Sequence, residues 1–595
     1  MPHRLRGNAS SALPTRLIFV DTETRPRPLR DDLLEHELRL GVACFWQRAG
    51  AKQPEREEWL DFTHAEAFWS WLERRAIAGK RLVLFAHNTQ FDLQALGGPQ
   101  ELARRGWTVP PPVIDSERVI LRAKREGASL LVLDWFNYFR APLEKAAELL
   151  ALDYVPLPAQ TDPDEAWRAR CRNDVLILRV AVARWLGLLE REDLGLFAPT
   201  LASQALHAYR HRFMDHEILV GSVVERPKLE RAAYMGGRAE VLAVGTFTDG
   251  PYSMLDVNSM YAAVMGRFNY PCRLKYVRRR TGRADLAETL KSDLVIAEVE
   301  LETEVPIFPA KVEGRLEFPV GRFTTTLTTP ELAEAVRRGV IRRVGECAVY
   351  EGAPLFERWA REIFDLRIRL RVAGEPLLED MVRHMLQALY GKFGQHSREW
   401  ERRADEPGYR DEIWTELDAD LGLERTFRRL GGVVAERKEE GEAHDAFPAI
   451  PAHVTAHARL LLWRYVELAG LAHVLYLDTD ALIVDAAGRA ALERWIDPDV
   501  LGRLKVAAEG PSVTIEGPKV YRIGEVDRRK GIRADAELLD SGKYRQEEFL
   551  GLNAQLRRGH SGGPLVQVVE RAPARPLPPE RISPAGRVLP RRLEL

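Results

Sequence analysis

Residues 474–484, VLYLDTDALIV, are an apolar run broken at its centre by two acids, Asp478 and Asp480. The flanks read as strand and the middle as a tight turn. Two like charges in a buried hairpin repel each other, and each resists losing water. An acidic turn is the plain reading. A divalent cation that supplies the missing counter-charge is the sharper one, and the rest of the sequence decides between them.

Immediately upstream, AHVTAHARLLLWRYVELAG (452–470) predicts a helix leading into that hairpin. Further back, SMLDVNSMYAAVMG (253–266) reads as a strand turning into a helix, with Asp256 at the junction. If the two strands lie side by side, Asp256 meets Asp478 and Asp480, and such a set can hold two divalent cations. Two helices are predicted over 354–374 and 376–394, joined at Gly374–Pro376. On the second, Arg383 and Tyr390 stand seven apart on one face. A cation there suits a triphosphate and an aromatic suits a base. Taken alone, that stretch reads more simply as a charged helix with a core tyrosine.

The N-terminal third repeats the theme. RLIFV (16–20) runs into DTET, RLVLFA (81–86) into HNTQFD, and SLLVLDWF (129–136) precedes the helical pattern APLEKAAELLAL (141–152). Residues 165–187 read as one long helix. This alternation predicts an α/β domain ending near residue 200. Asp21 and Glu23 emerge on one face of a strand end, Asp92 follows a second strand, and Asp174 lies on the long helix. Each alone reads as a strand end or a helix-surface acid. As an ordered set they can hold divalent metals, and Mg2+ or Mn2+ suit all-oxygen ligands.

The bulk properties are permissive. A chain of 595 residues is expected to form several domains. A net charge of −1 neither advertises nor excludes nucleic-acid binding, which needs only a local basic surface. Arginine clusters at 276–283, 367–371 and 526–533 each read alone as solvated faces. Four scattered cysteines argue against a zinc site or a disulfide framework. No apolar run suggests a signal peptide or a membrane span, so a soluble cytoplasmic protein is expected. Residues 396–445 are charged and weakly periodic, like an exposed insertion, and 571–595 are rich in Pro and Arg and expected to be a loosely ordered tail.

The first acid set resembles the 3′→5′ proofreading exonuclease domain of family-B DNA polymerases, which implies an RNase-H-like (DnaQ-like) fold. DTE (21–23), NTQFD (88–92) and RCRND (170–174) resemble its three motifs. The resemblance implies that Asn88 and Phe91 hold the single-stranded primer end, and that Lys145 contacts the scissile phosphate. It departs at Arg170, where the family has a tyrosine whose hydroxyl orients the attacking water. The second set is similar to the polymerase motifs of the same family. DVNSMY (256–261) resembles motif A, with Asp256 and the Val257 carbonyl as metal ligands and Tyr261 as the gate against a ribose 2′-hydroxyl. RHMLQALYG (383–391) resembles motif B, with Arg383 in place of lysine and Gln387–Ala388 in place of Asn-Ser. YLDTDA (476–481) resembles motif C, with Asp480 as ligand, Asp478 in support and Ala481 replacing serine. KVY (519–521) resembles the motif that holds the primer strand through Lys519 and Tyr521, and Arg371 is a candidate second triphosphate contact.

The resemblance implies an α/β multidomain chain. An extension (1–15) precedes the exonuclease domain (16–200) and a connector (201–245). Palm and fingers follow (246–518), with insertions near 270–350 and 396–445, then a thumb (519–570) and the tail. It implies two Mg2+ or Mn2+ at each active site, with DNA template, primer and deoxynucleotides as partners of a monomer. YMGG (234–237), with Tyr234, Gly236 and Gly237 touching the template, and the two insertions resemble the protein-primed branch of phages and linear plasmids, which uses a terminal protein. A segment of the first insertion is FPVGRFTTTLTTPELAEAVRRGV (318–340). The alternatives are a nucleic-acid-primed or primer-independent polymerase, a catalytically degenerate DNA-binding protein, and an exonuclease with a relic polymerase domain. The intact Asp256, Asp478 and Asp480 speak against the last two.

Overall fold

A computed structural model describes the chain except residues 1–2, 51–52, 116–117, 222–226, 398–399, 419–421, 439–440 and 574–576. The N-terminal domain is built on a sheet whose centre is three parallel strands, Arg16–Arg30, Arg81–Ala86 and Ala128–Asp134. Their apolar runs fit burial on both faces. One face packs on the helix Asp164–Arg191, through Cys171, Val175, Leu178 and Val182. The other packs on the helix Ala65–Glu73, through Phe68, Trp69 and Leu72.

The first strand is longer than its apolar run. It continues to Arg30 through Pro26 and Pro28, antiparallel to Leu33–Gln47. Prolines are tolerated there because only one side of this extension needs a hydrogen-bonded partner.

The palm is a five-stranded antiparallel sheet. Its order is Arg238–Val241, Val474–Thr479, Ala481–Val484, Tyr252–Val257 and Leu504–Gly510. The helix Ala449–Ala469 lies against it, and the helices Glu357–Val372 and Pro376–Phe393 stand beside them as fingers. The helix Leu201–Ala208 packs on Pro376–Phe393. One continuous cluster of buried side chains therefore crosses the boundary expected near residue 200, from Leu17 through Leu201 and Leu389 to Leu504.

The charged stretch after residue 396 folds into a four-stranded antiparallel sheet, Trp400–Asp405, Val433–Arg437, Leu423–Leu430 and Glu412–Asp418. Its weak periodicity reflects ion pairs such as Arg425 and Arg403 on Glu436. The first insertion contributes Leu294–Thr303, Val320–Thr328 and Ile341–Ala353 to a second mixed sheet.

Two features differ from expectation at the C-terminus. Beyond a small sheet of Val513–Gly517, Val520–Ile523 and Val526–Arg529, the hairpin Tyr544–Leu550/Leu565–Arg571 joins the N-terminal sheet, pairing with Leu33–Glu35. The last residues are not a loose tail. Arg587 donates to the carbonyl of Val474 at 2.7 Å, Val588 to that of Leu242, and Arg592–Leu593 add a short parallel strand to Val320–Gly321. The segment is held by these bonds and by Leu577, Val588 and Leu593, which pack on the core. Among the described residues no helix is long and apolar enough to cross a membrane.

Candidate active sites

In the palm, strand register makes the first site. Asp478 pairs across to Ala481, Ala481 to Asp256, and Asp256 to Lys505. Cross-strand partners share a face, so the two carboxylates flank the smallest side chain in the row. Asp480 follows one residue after the hairpin tip, where Thr479 takes a left-handed φ of 67°. The Asp480 N–H donates to the Asp478 carbonyl at 2.7 Å, and its own carbonyl accepts from the Val257 N–H at 2.8 Å. That bond locks the hairpin to the strand carrying Asp256.

The charges are unevenly met. Lys505 Nζ lies 2.9 Å from Asp256 and Lys519 Nζ 2.8 Å from Asp478. The hydroxyl of Tyr521 faces the other oxygen of Asp478 at 3.5 Å, so both ends of KVY converge on that acid. Burial, then the neighbouring Asp256 and Asp478, pushes Asp480 up to about 6. A partly buried set short of positive charge, with only oxygen donors, fits a hard divalent cation.

Around it, Tyr261 and Tyr390 stack with centroids 4.9 Å apart. Arg383 pairs with Asp380 one turn back. Arg371 is half-exposed, 3.4 Å from Glu379 and 3.6 Å from Asp499. It is Arg367, four residues earlier, that reaches the loop after Asp256, donating to Asn258 Oδ1 at 3.2 Å and Ser259 Oγ at 2.9 Å.

YMGG lies against the hairpin. A Cβ on Gly237 would meet Thr479 Cγ2 and the Tyr261 hydroxyl, each at 2.7 Å, whereas one on Gly236 would meet nothing within 4 Å. Tyr234 packs on Gly394, where an added Cβ would lie 2.6 Å from its ring. The carbonyls of Met235 and Gly236 accept from Arg459 Nη1 at 2.7 and 2.8 Å, and the rest of that guanidinium is bound to Glu331. Sequence reasoning missed Arg459, one of two arginines in the apolar helix 452–470. Arg367 and Lys505 were missed as well.

The second site lies at the end of the N-terminal parallel strands. Asp92 accepts from the Thr22 amide at 3.0 Å and hydroxyl at 2.7 Å, between Asp21 and Glu23. Cys171 Sγ lies 3.2 Å from the Asp21 carbonyl and brings the helix with Asp174 onto the strand. Burial pushes all four acids upward: Asp21 well above the carboxylate range, Glu23 and Asp174 to about 7, Asp92 to about 8. At Asp21 the charges of Asp174, Asp92 and Glu23 add to burial. This donor set also fits hard divalent cations.

Asn88 sits at a left-handed φ of 63°, held because Asp134 accepts from the amides of Asn88 and Thr89 at 3.1 and 2.9 Å. Phe91 packs edge-on against His36 and against Phe549 of the C-terminal hairpin. Lys145 is half-exposed and pairs with Glu148 at 2.6 Å. In neither site do three ligand atoms approach within 4.8 Å of one another; among the described residues the group that does is His3, His444 and Asp445, elsewhere.

Residues 160–402 match the family described as DNA polymerase type B, organellar and viral. No curated protein matches the sequence. Among solved structures the chain is similar to Phi29 DNA polymerase complexed with primer-template DNA and incoming nucleotide substrates, at 15% identity over 94% of this chain and 99% of that one, with a TM-score of 0.64. It is similar also to Phi29 DNA polymerase complexed with single-stranded DNA, at 14% identity over 95% and 100%, with a TM-score of 0.65. At such identities the likeness shows the fold: an exonuclease domain followed by palm, fingers and thumb. The family match thus covers residues 160–402, and the likeness in fold extends over more than nine-tenths of the chain, 94% and 95% in the two comparisons.

Proposed function

We propose that the chain extends a primer 3′-hydroxyl in the palm and trims 3′ ends in the N-terminal domain, in protein-primed replication of a phage or mobile element. The observation that carries the reading is the register-matched row Asp478–Ala481–Asp256 with Asp480 at its end. Asp256 and Asp480 bind the cations, and Asp478 fixes Lys519 and Tyr521, which tether the primer strand. The Tyr261–Tyr390 stack forms the wall against which sugar and base are seated. Arg383, released from Asp380, offers its fork to the triphosphate. Bound at these acids, two Mg2+ or Mn2+ supply Lewis acidity and charge neutralisation for phosphoryl transfer.

In the exonuclease domain, Asp21, Glu23, Asp92 and Asp174 bind the cations, and Asn88 and Phe91 hold the unpaired primer end. The seating of YMGG against the hairpin tip and the two folded insertions support protein priming.

The test is a 5′-labelled primer on a longer template. With deoxynucleotides and Mg2+ the primer lengthens; without nucleotides it shortens; chelation stops both. A primer unchanged in every lane would end the reading. Labelled nucleotide appearing on a supplied protein rather than on an oligonucleotide would mark protein priming. Gly237→Ala should slow extension by on the order of a hundredfold, because it displaces Thr479 beside Asp480 by a fraction of an ångström to an ångström. Gly236→Ala, whose added carbon meets nothing of the protein within 4 Å, should slow extension far less, and single-turnover extension of the two variants decides.

A further inference from the structure

Arg170 projects from the helix Asp164–Arg191 into the acid set of the N-terminal domain. Its Nη1 lies 2.5 Å from Asp174 Oδ1, and the two side chains are 11% and 6% exposed. The guanidinium carbon sits 4.6 Å from the centre of the Tyr154 ring, which arrives from the loop before that helix. Its Nε is buried without a hydrogen-bond partner among the described residues. The other cation near this pit, Arg39, is turned away, bonded to Asp164 and to the Asp162 carbonyl and lying over Trp167. Arg170 is thus the counter-charge placed inside a pit of four acids, and it occupies an oxygen that a cation bound to Asp174 would need.

We propose that Arg170 is a built-in competitor for the divalent cations of this site, so that the site fills only when the ions take Asp174 from the guanidinium, which stays over the Tyr154 ring. This rests on the reading of Asp21, Glu23, Asp92 and Asp174 as a cation-binding exonuclease site. No bond is made or broken in the exchange: one ion pair is replaced by another, and the guanidinium keeps an aromatic face as its partner.

The experiment is Mn2+ titration of the full chain at pH 8.5, by calorimetry and by electron paramagnetic resonance of free Mn2+, in an Asp256→Asn/Asp480→Asn background that silences the palm. A charge within hydrogen-bond reach shifts an ionic equilibrium by about 1–3 logarithmic units. Arg170→Gln and the bulkier Arg170→Met should therefore each bind Mn2+ at least about tenfold more tightly, and Arg170→Lys within about threefold of the parent. Melting temperatures without metal show that each variant is folded. Equal or weaker binding in both neutral variants overturns the proposal. If Asp174→Asn leaves Mn2+ binding unchanged, the acids hold no cation and the exonuclease reading falls with it. If the neutral variants bind more tightly but trim no 3′ end with the palm silenced, the competition stands and the exonuclease reading alone fails.

Discussion

Asp480→Asn should abolish primer extension, by on the order of a thousandfold or more, the scale on which a lost electrostatic group at a reacting centre acts. The reason is local. Asp256 and Asp478 each have a lysine within 3 Å, whereas among the described residues no cation lies within ion-pair distance of Asp480. Its carboxylate is the one whose charge the fold leaves for a ligand to meet, consistent with its upward shift by burial. Asparagine keeps the shape, and the two backbone bonds that Asp480 makes do not involve its side chain. The variant should therefore melt at or slightly above the native temperature, since an uncompensated buried charge has been removed. Extension and calorimetry of one preparation check both halves. A variant that melts far lower would mean that Asp480 is structural.

Arg459→Ala should destabilise the chain by about 3–5 kcal/mol, the range measured when one partner of a buried ion pair is removed. Arg459 and Glu331 are 2% and 1% exposed, and both Nε and Nη2 of the arginine bond Glu331 Oε1, at 3.0 and 2.7 Å. Truncation leaves Glu331 charged in the core and strands the carbonyls of Met235 and Gly236. Arg459→Met with Glu331→Leu should cost less than either change alone, because no lone charge remains. Urea denaturation of the four proteins measures this. The loss should reach function too: the backbone that Arg459 holds is that of YMGG, against the hairpin tip.

Where apolar pattern and acid spacing coincide, the sequence was sufficient. The helix Asp164–Arg191 was predicted over 165–187, the helix Ala449–Ala469 over 452–470, and the hairpin around Asp478 was read from its flanks. Both acid sets could be picked out because a carboxylate at the end of an apolar strand has little structural use. What failed to show was long-range pairing. Nothing in LVQVVER (565–571) says that it pairs with Leu33–Glu35, more than five hundred residues earlier. The sheet at 400–437 was hidden because its strands are held by cross-strand ion pairs, which leave no apolar alternation to read. Arg367 was passed over for Arg371 because their spacing on one helix is the same to the eye; only the turn of the helix decides which faces Asn258.

The hairpin that closes the N-terminal sheet bears on how the chain is made. A ribosome releases Leu33–Glu35 more than five hundred residues before the strand that covers this edge, Leu565–Arg571. Until that strand emerges the first domain presents an uncapped β edge, the kind of surface on which chains pair wrongly with one another. Synthesis of the hairpin then draws these distant segments into one sheet, and a copy truncated before residue 565 should be prone to self-association while it still carries every acid of both sites.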